Sequence, residues 1–537
     1  MKINLTTLIL ACFTVCLSYA QDWKTYPYTP EGSLITFPKD EGAHTAEAIE
    51  WWYTSGEVTG ETTGKTYAYM LSYFDYSYAG FDGFRILNLR DLSTGEFFQS
   101  TLPLTYNTLS TEAISIEAVV FRGITESWRN KLDHDNNSIP FQYTITAASD
   151  NGKIEFDYNT VKRPLIIGDT GLIDQGASRY SYYFSQTKNE VSGQITLNGV
   201  TENVIGTAWI DRQYGSFNPL SSEKYEWFSL QLSNDMDINL WNIFTAEGSI
   251  PDNSKFKILS AYVDDNTQYT ISDFEIERLA FNCMPDLEKC YSKKWRLTSE
   301  SKNIDLTIET RYDDAEVTLP FRFYEGTITI SGTINGESVT GIGFAELVHT
   351  YENPSITLNA FADNMYSADT PISWMLNNPD DGRKVYYDVL YSTDGEEFIS
   401  IVTDLTDTSF IWEQPALDQD ASVWFKVVAH SVDGTLSSEV VSEALQYSTL
   451  SVASSVLNQV KLFPNPVQTH LYITMPFAVT RFQYEIIDVS GRLVLKNQTT
   501  QQDSNTLEIP LNQLTSGIYI LRCTTQHTQK SFKFIKQ

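Results

Sequence analysis

Residues 209–217 read WIDRQYGSF. The rings and the isoleucine mark a β-strand, yet an acid, a guanidinium and an amide sit side by side within it. In extended backbone, successive side chains point to opposite faces. Trp209, Asp211 and Gln213 therefore share one face. Ala208, Ile210, Arg212 and Tyr214 share the other. Gly215, Pro219 and the polar run SSEK then break the pattern before YEWFSLQL, residues 225–232, resumes it. A strand that stops in this way between two strong strands reads as a junction between β-modules, from about Asp211 to Tyr225.

The same grammar holds outward in both directions. TYAYMLSYF, FQYTITAA, KIEFDYNTV, INLWNIFTA, IDLTIETRY and GTITISGTI alternate or cluster β-branched and aromatic residues between short Gly, Asn, Asp and Ser turns. Long amphipathic helical patterns are nearly absent. The fold class is all-β in several modules. The 537 residues divide into a leader at 1–20, a first barrel at 21–217, a second at 218–352, a sandwich at 353–447, a linker at 448–456 and a terminal β-module at 457–537. Evenly spaced hairpins over the first 350 residues predict two tandem antiparallel barrels, too much chain for one. About seven short strands over 355–447, including PISWML and WFKVVAHSVDG, predict the sandwich.

Composition narrows the function. Asp and Glu total 68 against 37 Lys and Arg, a formal charge of −31, which repels phosphate backbones and argues against nucleic acid. Lys2, the apolar run Leu5–Leu17 and Ser18-Tyr19-Ala20 form a secretory signal. The other apolar stretches are far short of a membrane span. In an oxidising compartment Cys283 and Cys290 can close the loop CMPDLEKC; two unpaired thiols are the alternative. Cys523 alternates with apolar residues in IYILRCTT and reads as a core thiol.

Chemistry concentrates in three stretches: HTAEAIEWWYTSGEVTG (44–60), RPLIIGDTGLID with SRYSYYFSQTK (163–188) leading into WIDRQYGSF, and YEWFSLQL with the later YEGTITISG and GFAELVHTY. A buried carboxylate is costly unless paired or hydrogen-bonded. Asp211 on a ring-rich face is therefore a candidate acid–base group with a raised pKa. The competing reading is an Asp211–Arg212 ion-pair knot where the barrels join. Glu50, Arg212 and Tyr214 are the candidate orienting groups, although a carboxylate such as Glu50 is more often a buried partner of an arginine than a catalyst. Trp51, Tyr53, Tyr182, Trp209, Trp227 and Gln231 are candidate walls of a ligand cavity. His44 is placed by its loop over a barrel mouth, and His349 reads as a strand-end histidine. No G-x-S-x-G elbow, phosphate loop, His/Cys cluster or EF-hand occurs, so no cofactor, zinc or calcium is implied.

Taken in order, EWWY, the YYFS strand, W-x-D-R-Q and WFSLQL resemble the carotenoid 1,2-hydratase/AttH lipocalin-like family over residues 38–351. The resemblance implies two lipocalin-like barrels and action on apolar small molecules or lipids. It aligns Asp211 with the proposed acid of the hydratases. Those enzymes also carry a His and a Trp on the preceding strand, where this chain has Tyr180-Ser181-Tyr182-Tyr183-Phe184, which brings it nearer the AttH branch. Residues 355–447 resemble a fibronectin type III domain. LFPNP, DVSGR, SGIYIL and the basic residues Lys530, Lys533 and Lys536 resemble the sorting domain of type IX secretion, which implies the secretion machinery as a partner and a secreted or surface location. The expectation is an exported hydratase-, isomerase- or hydrolase-type protein; a non-catalytic carrier of hydrophobic ligands and a surface interaction protein are the alternatives.

Overall fold

The computed structural model describes residues 22–448 (except 79, 122, 219, 220, 414 and 416), 460–474, 482–499, 506–524 and 529–537. The expected signal and most of the linker lie outside the described residues. Apart from two single-turn 3₁₀ segments, Lys39–Glu41 and Ala362–Asn364, the described secondary structure is β.

One compact unit runs through Glu352 and includes the loop Pro379–Lys384. Its first half comprises β1 (Ile49–Gly60), β2 (Thr66–Tyr78), β3 (Phe81–Asp91), β4 (Phe97–Leu109), β5 (Ser115–Val120), β6 (Ile124–Leu132), β7 (Ser138–Ala148), β8 (Gly152–Thr160), β9 (Leu165–Ile166), β10 (Leu172–Gln175), β11 (Arg179–Leu197) and β12 (Val200–Gly215). The path β11-β12-β1 continues in sequence order to β8, and β8 pairs back onto β11, which closes a ten-stranded barrel. Closure removes the sheet edges. A register shift between Gln186 and Asn189 lets the long β11 serve two purposes. Its later half closes the barrel, while its earlier half extends beyond it to pair with β9 and β10. Gly215 ends β12 at φ +151°, where an added Cβ would lie 2.6 Å from the Tyr180 carbonyl oxygen.

The second half comprises β13 (Lys224–Leu232), β14 (Asp237–Phe244), β15 (Lys257–Asp264), β16 (Thr267–Ile271), β17 (Glu275–Cys283), β18 (Cys290–Ser299), β19 (Ile304–Thr310), β20 (Glu316–Val317), β21 (Phe323–Ile334) and β22 (Glu337–Leu347). These strands follow the order β16-β15-β14-β13-β22-β21-β19-β18-β17 as a half-barrel, with no described pairing between β16 and β17. The second β-domain is thus open where two full barrels were expected. The Cys283–Cys290 disulfide is formed at the β17–β18 hairpin.

Three cores result. Trp52, Tyr69, Trp128 and Tyr158 fill the closed barrel, and Phe228, Leu240, Trp295 and Ile308 fill the half-barrel. The third core lies between them. There, outward-facing Tyr53, Met70, Ile86 and Tyr183 of the first domain meet Tyr225, Trp227, Trp241 and Phe344 of the second. A strand that packs on both faces reads as nearly continuous burial, as β12 does from Ala208 to Gly215.

The other unit holds two further cores. Between residues 353 and 448, Ile356–Leu358, Ile372–Leu376 and Ser409–Phe410 form one sheet, and Val385–Ser392 and Ser422–Ser431 are central in another. Trp374, Val389 and Phe425 belong to their common core. The terminal module has a three-stranded and a four-stranded sheet around Leu471, Ile486, Leu521 and the fully buried Cys523. Burial pushes the Cys523 thiol up to about 12, which keeps it unreactive.

Candidate active site between the two β-domains

Two rows of side chains cross the outer face of the closed barrel. In register, Ser185, Asp211, Tyr53, Ser72 and Ile86 form one row over β11-β12-β1-β2-β3. Tyr183, Gln213, Trp51, Phe74 and Phe84 form the next. Opposite them, the half-barrel presents Trp241, Trp227, Glu346 and Glu325 as one row over β14-β13-β22-β21. A narrow cavity lies between these layers, lined by residues of both, with about 30 Å³ open to the centres of water-sized molecules. That is room for one or two waters. Half-buried Trp51, Phe74, Phe84 and Phe321 lie around it. A larger guest therefore requires these rings to part.

Asp211 is 3% exposed and has three neutral donors. Ser185 Oγ and Trp209 Nε1 donate to Oδ1 at 2.5 and 2.6 Å, and Tyr183 OH donates to Oδ2 at 2.5 Å. Tyr183 is held in turn by Asn239 Nδ2 at 2.6 Å and Trp227 Nε1 at 3.1 Å, both from the half-barrel. Burial raises the Asp211 carboxyl; the three donors pull it down and the Glu346 charge pushes it further up, to about 7. The group exchanges its proton near neutrality.

Two more carboxyls sit on the opposite wall. Glu346 accepts from Tyr225 OH, and Glu325 Oε1 accepts from Tyr53 OH at 2.8 Å across the domain interface. Glu325 and Glu346 are cross-strand partners. Burial and then the Glu346 charge raise Glu325 well above the carboxylate range. Burial raises Glu346 too, against hydrogen bonds from Tyr225 and Glu325. Both carboxyls therefore favour the protonated form more than a free glutamate does. Neither residue was singled out from the sequence, although each is an acid inside an otherwise apolar strand, in YEGTITI and GFAELV. That interruption of an apolar run was the available signal.

Several candidates lie elsewhere. Glu50, Arg212 and Tyr214 face away from the cavity because strand parity sends them into the mouth of the closed barrel. Arg212 bridges Glu50 and the Gly42 carbonyl, with its guanidinium 3.9 Å from the Trp52 ring centre. His44 stacks on Tyr214 at 3.5 Å and its backbone N–H donates to Glu50 at 2.8 Å. This knot ties the segment from Asp40 to His44 over the barrel mouth. It neither lines the cavity nor pairs Arg212 with Asp211. Although burial works against it, the Arg212 charge holds the Glu50 carboxyl below its ordinary value. Glu226 of YEWF has a matching position in the half-barrel, where Arg278 binds it at 2.6 Å.

Among the candidate walls, Trp51, Tyr53 and Trp227 line the cavity. Tyr182 does not. Its neighbour Tyr183 pairs with Gln213 and takes the cavity face, while Tyr182 stacks on Tyr214 at 5.1 Å. Trp209 reaches the site only through its N–H on Asp211. Gln231 lies in a separate recess and donates to the Thr187 carbonyl at 2.6 Å. His349 follows β22, stacked on Phe244 at 3.6 Å, and burial lowers its pKa well below the ordinary value. Among the described residues, His and carboxylate ligand atoms within 4.8 Å of one another occur at Asp388, Asp404 and His430, far along the chain from the cavity residues.

The fold and this interface define a class: two antiparallel β-domains, the first a closed barrel, with an apolar cavity between them. The chain belongs to the AttH-like family, whose model matches residues 28–351. Residues 461–537 match the secretion system C-terminal sorting domain, which directs type IX secretion to the surface or outside. No helix among the described residues is long and apolar enough to cross a membrane. Kievitone hydratase of Fusarium solani subsp. phaseoli is 22% identical over 311 residues, spanning 56% of this chain and 82% of the relative. The crystal structure of an AttH from Nitrosomonas europaea is similar at TM-score 0.50 and 20% identity, covering 60% of this chain and 98% of that one. Kievitone hydratase from Nectria haematococca gives TM-score 0.49 at 18% identity, covering 60% and 98%. The chain is an exported protein of the AttH-like family.

Proposed function

We propose that this protein adds water to, or removes it from, a carbon–carbon double bond of an apolar small molecule bound between its β-domains, with Asp211 as the general acid. The observation that carries this reading is Asp211 itself: a buried carboxyl beside a ring-lined cavity, held by three neutral donors, with a proton affinity pushed up to about 7. A carboxyl that shares no ion pair and sits near neutrality is suited to proton transfer. In the hydration direction, the Asp211 proton forms a C–H bond as the π bond breaks, leaving a carbocation and the Asp211 carboxylate. Aromatic faces of Trp51, Trp227 and Trp241 are cation-stabilising surfaces. Water then forms the C–O bond and loses a proton, which returns to the carboxylate. The hydratase relative supports the same reaction class.

The test is incubation of the full chain with a panel of apolar alkenes and alcohols in ¹⁸O-labelled water, followed by mass spectrometry. The expected product gains one labelled water, and Asp211→Asn lowers its rate by about 10²–10⁴-fold. Ligand recovered unaltered, or equal rates in the variant, overturns the assignment and favours a carrier.

A further inference from the structure

Every charged residue lining the cavity is acidic. Asp211 comes from one domain and Glu346 from the other, and Glu325 stands behind Glu346. No Lys, Arg or His lines the space. Three arginines each lie between two lining residues in sequence, but Arg85 is engaged by Glu126, Arg212 by Glu50, and Arg322 by Glu316, Asp286 and Glu288. Three lining residues also carry buried polar atoms without a partner: Ser72 Oγ, Gln213 Oε1 and Trp241 Nε1, on residues 2%, 1% and 4% exposed. Buried polar atoms are ordinarily satisfied, so unfilled ones in a cavity wall mark hydrogen bonds left for a guest. A hydroxyl complements each of them, donating to the Gln213 carbonyl, accepting from the Trp241 N–H, or exchanging donor and acceptor roles with Ser72.

We infer that the cavity selects an uncharged apolar molecule bearing at least one hydroxyl, and that Asp211 and Glu346 exclude anions such as fatty acids and phospholipids. Inside a water-poor space, an anion beside carboxyls meets like-charge repulsion without solvent screening. Rings supply the apolar contact, while Ser72 and Gln213 orient the hydroxyl. This selectivity rests on the cavity being the working site proposed above, but not on the reaction performed there.

The test uses binding alone, so it can fail or succeed independently of hydration. N-phenyl-1-naphthylamine is uncharged at the pH values used, and 1-anilinonaphthalene-8-sulfonate adds an anionic sulfonate to nearly the same rings. The full chain is titrated with each by fluorescence, and sulfonate binding is scored only as the part displaced by the neutral probe. At pH 8 the neutral probe is expected to bind at least about tenfold more tightly. The gap narrows at pH 5, where Asp211 is protonated, and narrows at pH 8 in Glu346→Gln. In competition at pH 8, 2-naphthol is expected to displace the neutral probe about fivefold more effectively than naphthalene, about 1 kcal/mol for one added hydrogen bond. Equal affinity for both charged states at pH 8, a gap that ignores pH, no binding of the neutral probe, or no advantage for the naphthol overturns the inference. The wild-type pH comparison decides the matter even if the variant does not fold.

Discussion

Asp211 on β12 and Glu346 on β22 come from different β-domains yet line one cavity, and the Glu346 charge adds to the burial that lifts the Asp211 carboxyl to about 7. The acid is therefore a product of domain docking. The first domain supplies Asp211 with Ser185, Tyr183 and Trp209, and the second supplies the groups that orient Tyr183 and shift the carboxyl.

This has a kinetic consequence. If Asp211 delivers the proton, kcat/KM for hydration falls as pH rises through about 7, because the acid is then ionised. Replacing Glu346 with Gln removes a charge that favours the protonated form. The falling limb is expected to move to lower pH, which a pH–rate profile of the two proteins measures.

Stability should titrate in the same window. Asp211 moves from an ordinary 3.8 to about 7 and Glu41 from 4.5 to about 7, so the folded chain keeps protons that the unfolded chain has lost. Their contribution is complete below about pH 4 and disappears as pH rises through about 7. Asp211→Asn and Glu41→Gln are each expected to flatten the fall of Tm between pH 5 and pH 8. Calorimetry at a series of pH values checks this; slopes equal to wild type would contradict it.

The Glu50–Arg212 knot is expected to matter for stability and not for ligand capture. Breaking one side strands a buried charge, at about 3–5 kcal/mol. Arg212→Met should therefore unfold at markedly lower denaturant. The Glu50→Gln, Arg212→Met double variant should lose less than the two single losses added together. Chemical denaturation of the four proteins measures the coupling.

Strand parity makes a sharper distinction among the aromatic residues. Trp227→Ala removes a cavity wall and should weaken binding of N-phenyl-1-naphthylamine by about tenfold or more, the loss of a buried ring contact. Tyr182→Phe alters a residue on the opposite face and should leave that affinity unchanged. Fluorescence titration of both variants compares them directly.

Much of this protein is local in origin. Alternation in WIDRQYGSF separates Asp211 and Gln213 from Arg212 and Tyr214 without any knowledge of partners. EWWY, YYFS and WFSLQL carry the family, LFPNP and SGIYIL carry the sorting domain, and the turns between β-branched runs carry the all-β class. These are properties of period, propensity and short motifs, which a single chain displays in order. Tertiary structure alone decided what each face meets. The closed barrel and the half-barrel are each filled by their own side chains, so the ring-rich faces between them become the binding layers. Glu325 and Glu346 acquire meaning only when β21 and β22 are laid opposite Tyr53 and Asp211, residues far away in the chain. One residue of register exchanges Tyr182 for Tyr183 at the cavity, and only the pairing of β11 with β12 sets that register. Parity is written in neighbouring residues; the partner across an interface is set by packing between segments that the sequence keeps apart.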